Sequence, residues 1–185
     1  MGFAIAEAAA LRGHQVTLIA GPVALSTPSG VTRRDIVSAR EMLALLEEAL
    51  PLHDVLIMSA AVADWRPKTR SERKLKKIGM QPVLELEPNP DILKTLKARK
   101  KGQLFIGFAA ETGDPQAEAE RKLKNKGLDL IVANDVTQPD AGFAVDTNRV
   151  TFFTHQAPPL PLPLLSKQEV GKEIIRWAEN HFPPQ

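Results

Sequence analysis

At 185 residues, 43% hydrophobic and 25% charged, the chain has the balance of a globular domain large enough to bury a full core. A net charge of only +2 argues against a surface built as a whole to bind nucleic acid or membrane. The absence of cysteine excludes disulfides, thiolate chemistry and cysteine metal sites, and no apolar run reaches the ~20 residues of a membrane span.

Met1-Gly2-Phe3-Ala4-Ile5-Ala6 has no charged leader and no long apolar core, so the cytoplasm is the expected location. Gly2 to Arg12 reads as a helix, with Phe3, Ile5, Ala6, Ala9 and Ala10 mostly on one side and Gly13 as its stop. Gln15 to Ala20 and Val31 to Val37 read as strands. Ser38 caps a helix reaching about Leu50, with Met42, Leu45, Leu46 and Ala49 at helical spacing. Asp54 to Ser59 is a buried strand, and Val83 to Glu87 alternates as an edge strand would. Asn89 or Asp91 caps a short helix to about Arg99. Leu104 to Ala109, Pro115 to Asn125 and Leu128 to Ala133 follow as strand, charged helix and strand. Val150 to His155 is a late strand, the Pro-rich 157–164 an extended connection or loose hairpin, and Ser166 to Phe182 an amphipathic helix. Alternating strands and helices predict a single α/β domain over 1–185, a mostly parallel sheet covered on both faces.

A nucleotide-binding unit of this class normally opens with a strand and a glycine-rich turn into its first helix. Here the helix comes first, so the expectation is a chain lacking amino-terminal sequence.

Basic residues are clustered. Arg66 to Lys77 holds seven against one acid, Lys94 to Lys101 five and Arg121 to Lys126 four. Such runs are either solvated faces or the lining of a site for a polyanionic small ligand. The small-residue segment Ala60-Ala61-Val62-Ala63-Asp64 closes the strand Val55 to Met58, where ligands of open α/β sheets bind. It is either a packing point with a solvated aspartate, or a backbone surface for a base, with Asp64 on a ribose hydroxyl or a phosphate-bound cation. Lys74-Leu75-Lys76-Lys77 is a basic loop or a flap closing over phosphates. Asn89-Pro90-Asp91-Ile92 is a plain helix cap, or a cap that also offers N–H groups to a ligand. Phe108 in Gly107-Phe108-Ala109-Ala110-Glu111-Thr112 is core or a stacking ring. Lys122 and Lys126 share a helix face, solvated or turned to a triphosphate. His14, His53, His155 and His181 have no metal-ligand spacing.

Taken in order, Gly21-Pro22-Val23, Ala60-Ala61-Val62-Ala63-Asp64, Lys74-Leu75-Lys76-Lys77, Asn89-Pro90-Asp91-Ile92, Gly107 to Thr112 and Leu130-Ile131-Val132-Ala133-Asn134-Asp135 resemble the phosphopantothenoylcysteine synthetase family of coenzyme A biosynthesis. Gly142, Phe143 and Asn148 fit as well. The resemblance implies a three-layer Rossmann-like (ribokinase-like) α/β/α fold and a homodimer. It implies a ligase that activates 4′-phosphopantothenate with CTP and Mg²⁺ as an acyl-cytidylate and couples it to cysteine, with no nucleic-acid or membrane partner. FMN would enter only with a decarboxylase half, fused or separate. By that resemblance Met58, Ser59, Ala60 and Phe108 line the cytosine, and Asp64 serves the ribose or Mg²⁺. Lys74 is the catalytic flap lysine, Asn89, Pro90, Asp91 and Ile92 hold the nucleotide, and Lys122 and Lys126 bind the triphosphate. The family's opening strand and its Asn-x-Ser-Ser-Gly-Lys loop have no counterpart here, so triphosphate and acyl-substrate binding are expected to be weakened. The alternatives are an NAD(P)-binding Rossmann oxidoreductase, against which stand the missing Gly-x-Gly-x-x-Gly and the absence of tyrosine, and a truncated nucleotide-binding scaffold.

Overall fold

The computed structural model describes residues 1–71, 83–111, 115–135 and 146–182. The chain opens with helix α1 (Gly2–Leu11), which ends where Gly13 takes φ +87°, a left-handed conformation glycine adopts without strain. Strands β1 (Val16–Ala20) and β2 (Val31–Asp35) pair in parallel, Val16 opposite Val31. Helix α2 (Ala39–Ala49) starts from a reciprocal cap: the Glu41 N–H donates to Ser38 Oγ at 3.2 Å, and Glu41 Oε2 accepts the Val37 N–H at 2.9 Å. A short 3₁₀ turn over Leu50–Leu52 then leads to β3 (Val55–Met58).

Strands β4 (Trp65–Pro67) and β5 (Leu86–Pro88) form a small antiparallel ribbon. Then follow α3 (Ile92–Lys97), β6 (Leu104–Glu111), α4 (Pro115–Lys126) and β7 (Leu130–Asp135). The last part holds β8 (Thr147–Asn148), β9 (Val150–Phe153), β10 (Leu160–Pro161), β11 (Leu165–Ser166) and α5 (Lys167–His181). The main sheet has the order β10-β9-β7-β6-β3. Strands β3, β6 and β7 run parallel, while β9 and β10 add antiparallel at the far edge.

Two apolar clusters cover the sheet's two faces. One joins Met42 and Leu46 of α2, Ile92 and Leu96 of α3 and Leu123 of α4 to Phe105 and Ile131. The other joins Ile5 and Ala9 of α1 and Val170 and Ile174 of α5 to Ile106, Leu130 and Val132. This is the expected three-layer α/β/α arrangement. Strands β6 and β7 are apolar on both sides because both sides are covered.

At the start of β6, the Asp129 carboxylate accepts the Phe105 N–H at 2.6 Å and Lys100 Nζ at 2.6 Å. Lys100 Nζ also reaches the Gly127 carbonyl at 3.0 Å, and Lys97 Nζ the Lys124 carbonyl at 2.8 Å. Both lysines thus satisfy carbonyls at the carboxyl end of α4, where a helix favours cations. The second basic run was read as ligand lining or solvated surface; two of its members instead bind α3 to α4 and β6.

Helices α1 and α5 meet closely at Gly171, where a Cβ would lie 2.9 Å from the Ala4 carbonyl oxygen and 3.3 Å from Ile5 Cα. At the other end of this contact Glu179 accepts hydrogen bonds from Arg12 Nε at 2.7 Å and Nη2 at 2.5 Å, and pairs with His14 Nε2 at 2.8 Å. Hydrogen bonding from Arg12 lowers the Glu179 pKa, burial opposes it, and His14 adds to the lowering; the result is about 2.

Two outcomes are expected. Gly171→Ala should lower stability by about 1–2 kcal/mol in urea unfolding, although alanine is otherwise the better helix former, because backbone has to move. Glu179→Gln should cost up to about 1 kcal/mol at neutral pH, as a partly solvated pair would. A depressed carboxyl pKa stabilises above its unfolded value and loses that as pH falls through the folded one. The gap between Glu179→Gln and the parent should therefore be constant above about pH 5 and close between there and about pH 2 in pH-dependent thermal melts.

Candidate functional site

The carboxyl end of β3 is where small residues, free backbone and charged groups converge. Met58 packs with the α2–α3–α4 cluster, and Val62 reaches the same cluster. Between them Ser59, Ala60 and Ala61 carry no bulky side chain, and Ala60, Ala61 and Ala63 are exposed. Four residues with small side chains, Ser59, Ala60, Ala61 and Ala63, leave the main chain approachable to a flat ligand. Asp64 ends this stretch with an exposed carboxylate that has no partner among the described residues.

The loop is pinned from below by the β4–β5 ribbon. The Asn89 N–H donates to the Asp64 carbonyl at 2.7 Å, and Asn89 Nδ2 donates to the Ala63 carbonyl at 2.7 Å. Arg66 Nη1 donates to the Pro88 carbonyl at 2.6 Å and to Asn89 Oδ1 at 3.0 Å. Arg66 Nη2 also pairs with Glu87 at 2.8 Å. One asparagine therefore ties the small-residue loop to the start of α3, and one arginine fixes that asparagine's amide orientation. Sequence reasoning counted Arg66 only as part of a basic run. The available signal was short: Arg66 and Glu87 face each other in two three-residue strands.

Asp91 caps α3 by accepting the Lys94 N–H at 3.1 Å, while its other oxygen lies 3.8 Å from Lys126 Nζ. Ile92 is buried in the core beneath the cap and Pro90 is half-buried. Hydrogen bonds thus tie Ala63 and Asp64 to Asn89, and two residues further on Asp91 pairs with Lys126. Lys122 is placed differently, 3.3 Å from Glu118. The Glu118 pKa is lowered to about 2, chiefly by hydrogen bonding from Arg121, with burial opposing and Lys122 assisting. Phe108 is half-buried and packs with the α1–α5 cluster, on the opposite face from Met58. A ligand touching both would have to cross the carboxyl ends of β3 and β6. Lys74, Thr112, Gly142 and Phe143 lie outside the described residues.

Among the described residues no group of three or more His, Asp or Glu side chains is placed to hold a metal. His14 and His53 are used in packing: His14 pairs with Glu179, and His53 bridges the Ala49 carbonyl and Thr17 Oγ1. His181 stacks on Trp177 at 4.0 Å. No described helix is long and apolar enough to cross a membrane.

Arg66→Ala should loosen the ribbon without unfolding the core. The expected result is amide exchange at Asn89 at least tenfold faster, while exchange in β6 and β7 is unchanged.

Residues 1–181 match the family described as DNA/pantothenate metabolism flavoprotein C-terminal domain. The coenzyme A biosynthesis bifunctional protein CoaBC of Bacillus subtilis (strain 168) is 45% identical over 95% of this chain, which spans 44% of that relative. A relative from an unknown prokaryotic organism, named cysteine/cysteine sulfinic acid decarboxylase, is 43% identical over 95% of this chain, and 50% of its own length is covered. The crystal structure of the C-terminal domain of a coenzyme A biosynthesis bifunctional protein CoaBC superposes with a TM-score of 0.82 at 40% identity, covering 97% of this chain and 81% of that one. The chain spans about half or less of the length of these two curated relatives. Sequence and fold agree over nearly the whole chain: it belongs to the DNA/pantothenate metabolism flavoprotein C-terminal domain family.

Proposed function

We propose that the chain is the ligase portion of a coenzyme A biosynthesis protein, joining 4′-phosphopantothenate to cysteine at the expense of CTP. The family match and the CoaBC relatives support the pathway. The observation that carries the site is the Asn89-Pro90-Asp91 segment, bonded to Ala63 and Asp64 at one end and paired with Lys126 at the other, beside an exposed small-residue main chain.

In this reading the carboxylate oxygen of phosphopantothenate attacks the α-phosphorus of CTP, and pyrophosphate leaves. The cysteine amine then attacks the acyl carbon, and CMP leaves with its oxygen. A carboxylate is a poor electrophile, and a nucleotidyl leaving group divides one hard step into two easier ones. The main chain of Met58, Ser59 and Ala60 meets the base, and Phe108 bounds it from the other face. Asn89, Pro90, Asp91 and Ile92 fix the nucleotide's position through the pinned loop. Lys126 turns from Asp91 to the triphosphate, with Lys122 behind it, and Lys74 neutralises charge on the departing pyrophosphate. A single exposed carboxylate suits Mg²⁺, which keeps several waters and is usually held by one or two carboxylates plus phosphate oxygens. Asp64 would hold that ion, which supplies charge neutralisation. A homodimer belongs to the same reading, and FMN belongs to a decarboxylase portion.

The assay is pyrophosphate release from CTP with phosphopantothenate and no cysteine, followed by CMP release when cysteine is added. Phosphopantothenate-dependent pyrophosphate release followed by cysteine-dependent CMP release would establish the reaction. Carbon dioxide release from cysteine or cysteine sulfinate would favour the chemistry in the second relative's name. Reduction of NADP⁺ would favour an oxidoreductase. Lys126→Ala should raise the KM for CTP about tenfold with an unchanged melting temperature, the effect of losing one phosphate contact worth about 1.4 kcal/mol.

A further inference from the structure

The loop between β1 and β2 is largely exposed, and among the described residues no bond from main chain to main chain holds Pro22 to Thr27. One side chain holds it instead. Arg33 of β2 donates from Nη1 to the Leu25 carbonyl at 2.7 Å, and its Nη2 lies 3.5 Å from the Val23 carbonyl. Its Nε donates to Asp35 at 2.7 Å. The guanidinium also lies over the Phe3 ring of α1, 5.4 Å from the ring centre, within cation–π range. The Arg33 side chain is only 17% exposed. A planar fork of donors can serve a carboxylate and two carbonyls at once, which a lysine ammonium on a flexible stem cannot do in this geometry.

The loop lies at the carboxyl end of the parallel β1–β2 pair, the end at which α/β sheets take ligands. It is joined to the candidate site through α1. Phe3 carries Arg33 on its ring, and its neighbour Gly2 approaches the loop after β3, where a Cβ would fall 2.8 Å from Ser59 Oγ. The first turn of α1 therefore lies between the loop after β1 and the loop after β3. At the other end of the small-residue loop, Asn89 and Asp91 lead to Lys126, the side given to the nucleotide. The α1 side is left for the second substrate. We propose, on the ligase reading, that Arg33 is a positioning residue: it holds the Val23–Leu25 segment so that the exposed Val23 and Leu25 side chains form an apolar wall for the branched aliphatic part of the acyl substrate.

The chemistry of the two surfaces agrees. Gly21 to Gly30 contains no charged residue, in a chain where one residue in four is charged. Val23 is 47% exposed and Leu25 59%, and these are the two residues whose carbonyls Arg33 takes. Phosphopantothenate is anionic at both ends, but its middle is neutral and carries two methyl groups on one carbon. A neutral apolar wall fits that middle and neither end. Covering methyl groups against Val23 and Leu25 removes apolar surface from water on both sides of the contact. The wall is useful only if the loop is fixed beforehand, since a loop ordered by the ligand itself would subtract that ordering from the affinity.

The test is phosphopantothenate-dependent pyrophosphate release by the full chain, with each substrate varied in turn. Arg33→Lys keeps a cation beside Asp35 and gives up simultaneous contact with both carbonyls. It should raise the KM for phosphopantothenate about tenfold, leave the KM for CTP within about twofold, and shift the melting temperature by no more than a few degrees. Leu25→Ser should do the same. The double variant should be no worse than either alone, because Arg33 acts through this loop. An analogue of phosphopantothenate lacking the two methyl groups should be a poorer substrate than phosphopantothenate for the parent chain, and Leu25→Ser should abolish that preference. Unchanged KM values, equal rises in both, additive effects in the double variant, or a methyl preference that Leu25→Ser leaves intact would overturn the proposal while the ligase reading stands. A parent chain that releases no pyrophosphate in response to phosphopantothenate would overturn both.

Discussion

The contact between α1 and α5 at Gly171 carries more than its size suggests. The β1–β2 pair shares no hydrogen bond with the five-stranded sheet among the described residues, so no ladder holds the two in register. Packing has to do it instead. Helix α1 leads directly into β1, and its inner residues Ile5, Ala8 and Ala9 share a cluster with α5 and the main sheet. Only a residue without a side chain lets the α5 backbone come this close to the Ala4 carbonyl. The Arg12 and His14 pairs with Glu179 then fix the far end of the same contact. A helix pair thus does for one half of the fold what backbone bonds do for the other.

The site end of β3 is built on the opposite principle. Its loop has almost no side chains to pack, so its position depends on polar bonds to main-chain carbonyls. Asn89 supplies two of them, and Arg66 satisfies the amide oxygen that Asn89 would otherwise leave open. Each bond on its own contributes about 1 kcal/mol. Their value here is orientation: a loop of small residues held at both Ala63 and Asp64 presents a defined main-chain edge. Lys126 differs from Lys122 in the same respect. Its 3.8 Å separation from Asp91 is a loose ion pair, easily given up for a phosphate, whereas Lys122 sits at 3.3 Å from a glutamate that Arg121 also holds.

The sequence exposed the long, apolar elements well. Leu104 to Ala109 and Leu128 to Ala133 were legible as buried strands because covered parallel strands read as continuous apolar runs; the structure extends the first to Leu104–Glu111 and shifts the second by two residues to Leu130–Asp135. The caps at Ser38 and Asp91 were also legible, since capping is local. The β4–β5 ribbon was not: Trp65–Pro67 is three residues with an arginine and a proline, and its partner falls at Leu86–Pro88 rather than over 83–87. Three-residue strands carry no periodicity to read. Gly171 in the middle of a helix looks like a defect until its neighbour is known. The same holds for Lys97 and Lys100, whose carbonyl partners are about thirty residues away in sequence.

Ser59 opens the small-residue loop, and α1 begins against it: at Gly2 a Cβ would fall 2.8 Å from Ser59 Oγ. The loop is therefore located from two directions, by the first helix at Ser59 and by Asn89 at Ala63 and Asp64. The helix whose packing on α5 holds the β1–β2 pair thus also bears on where the loop leaves β3.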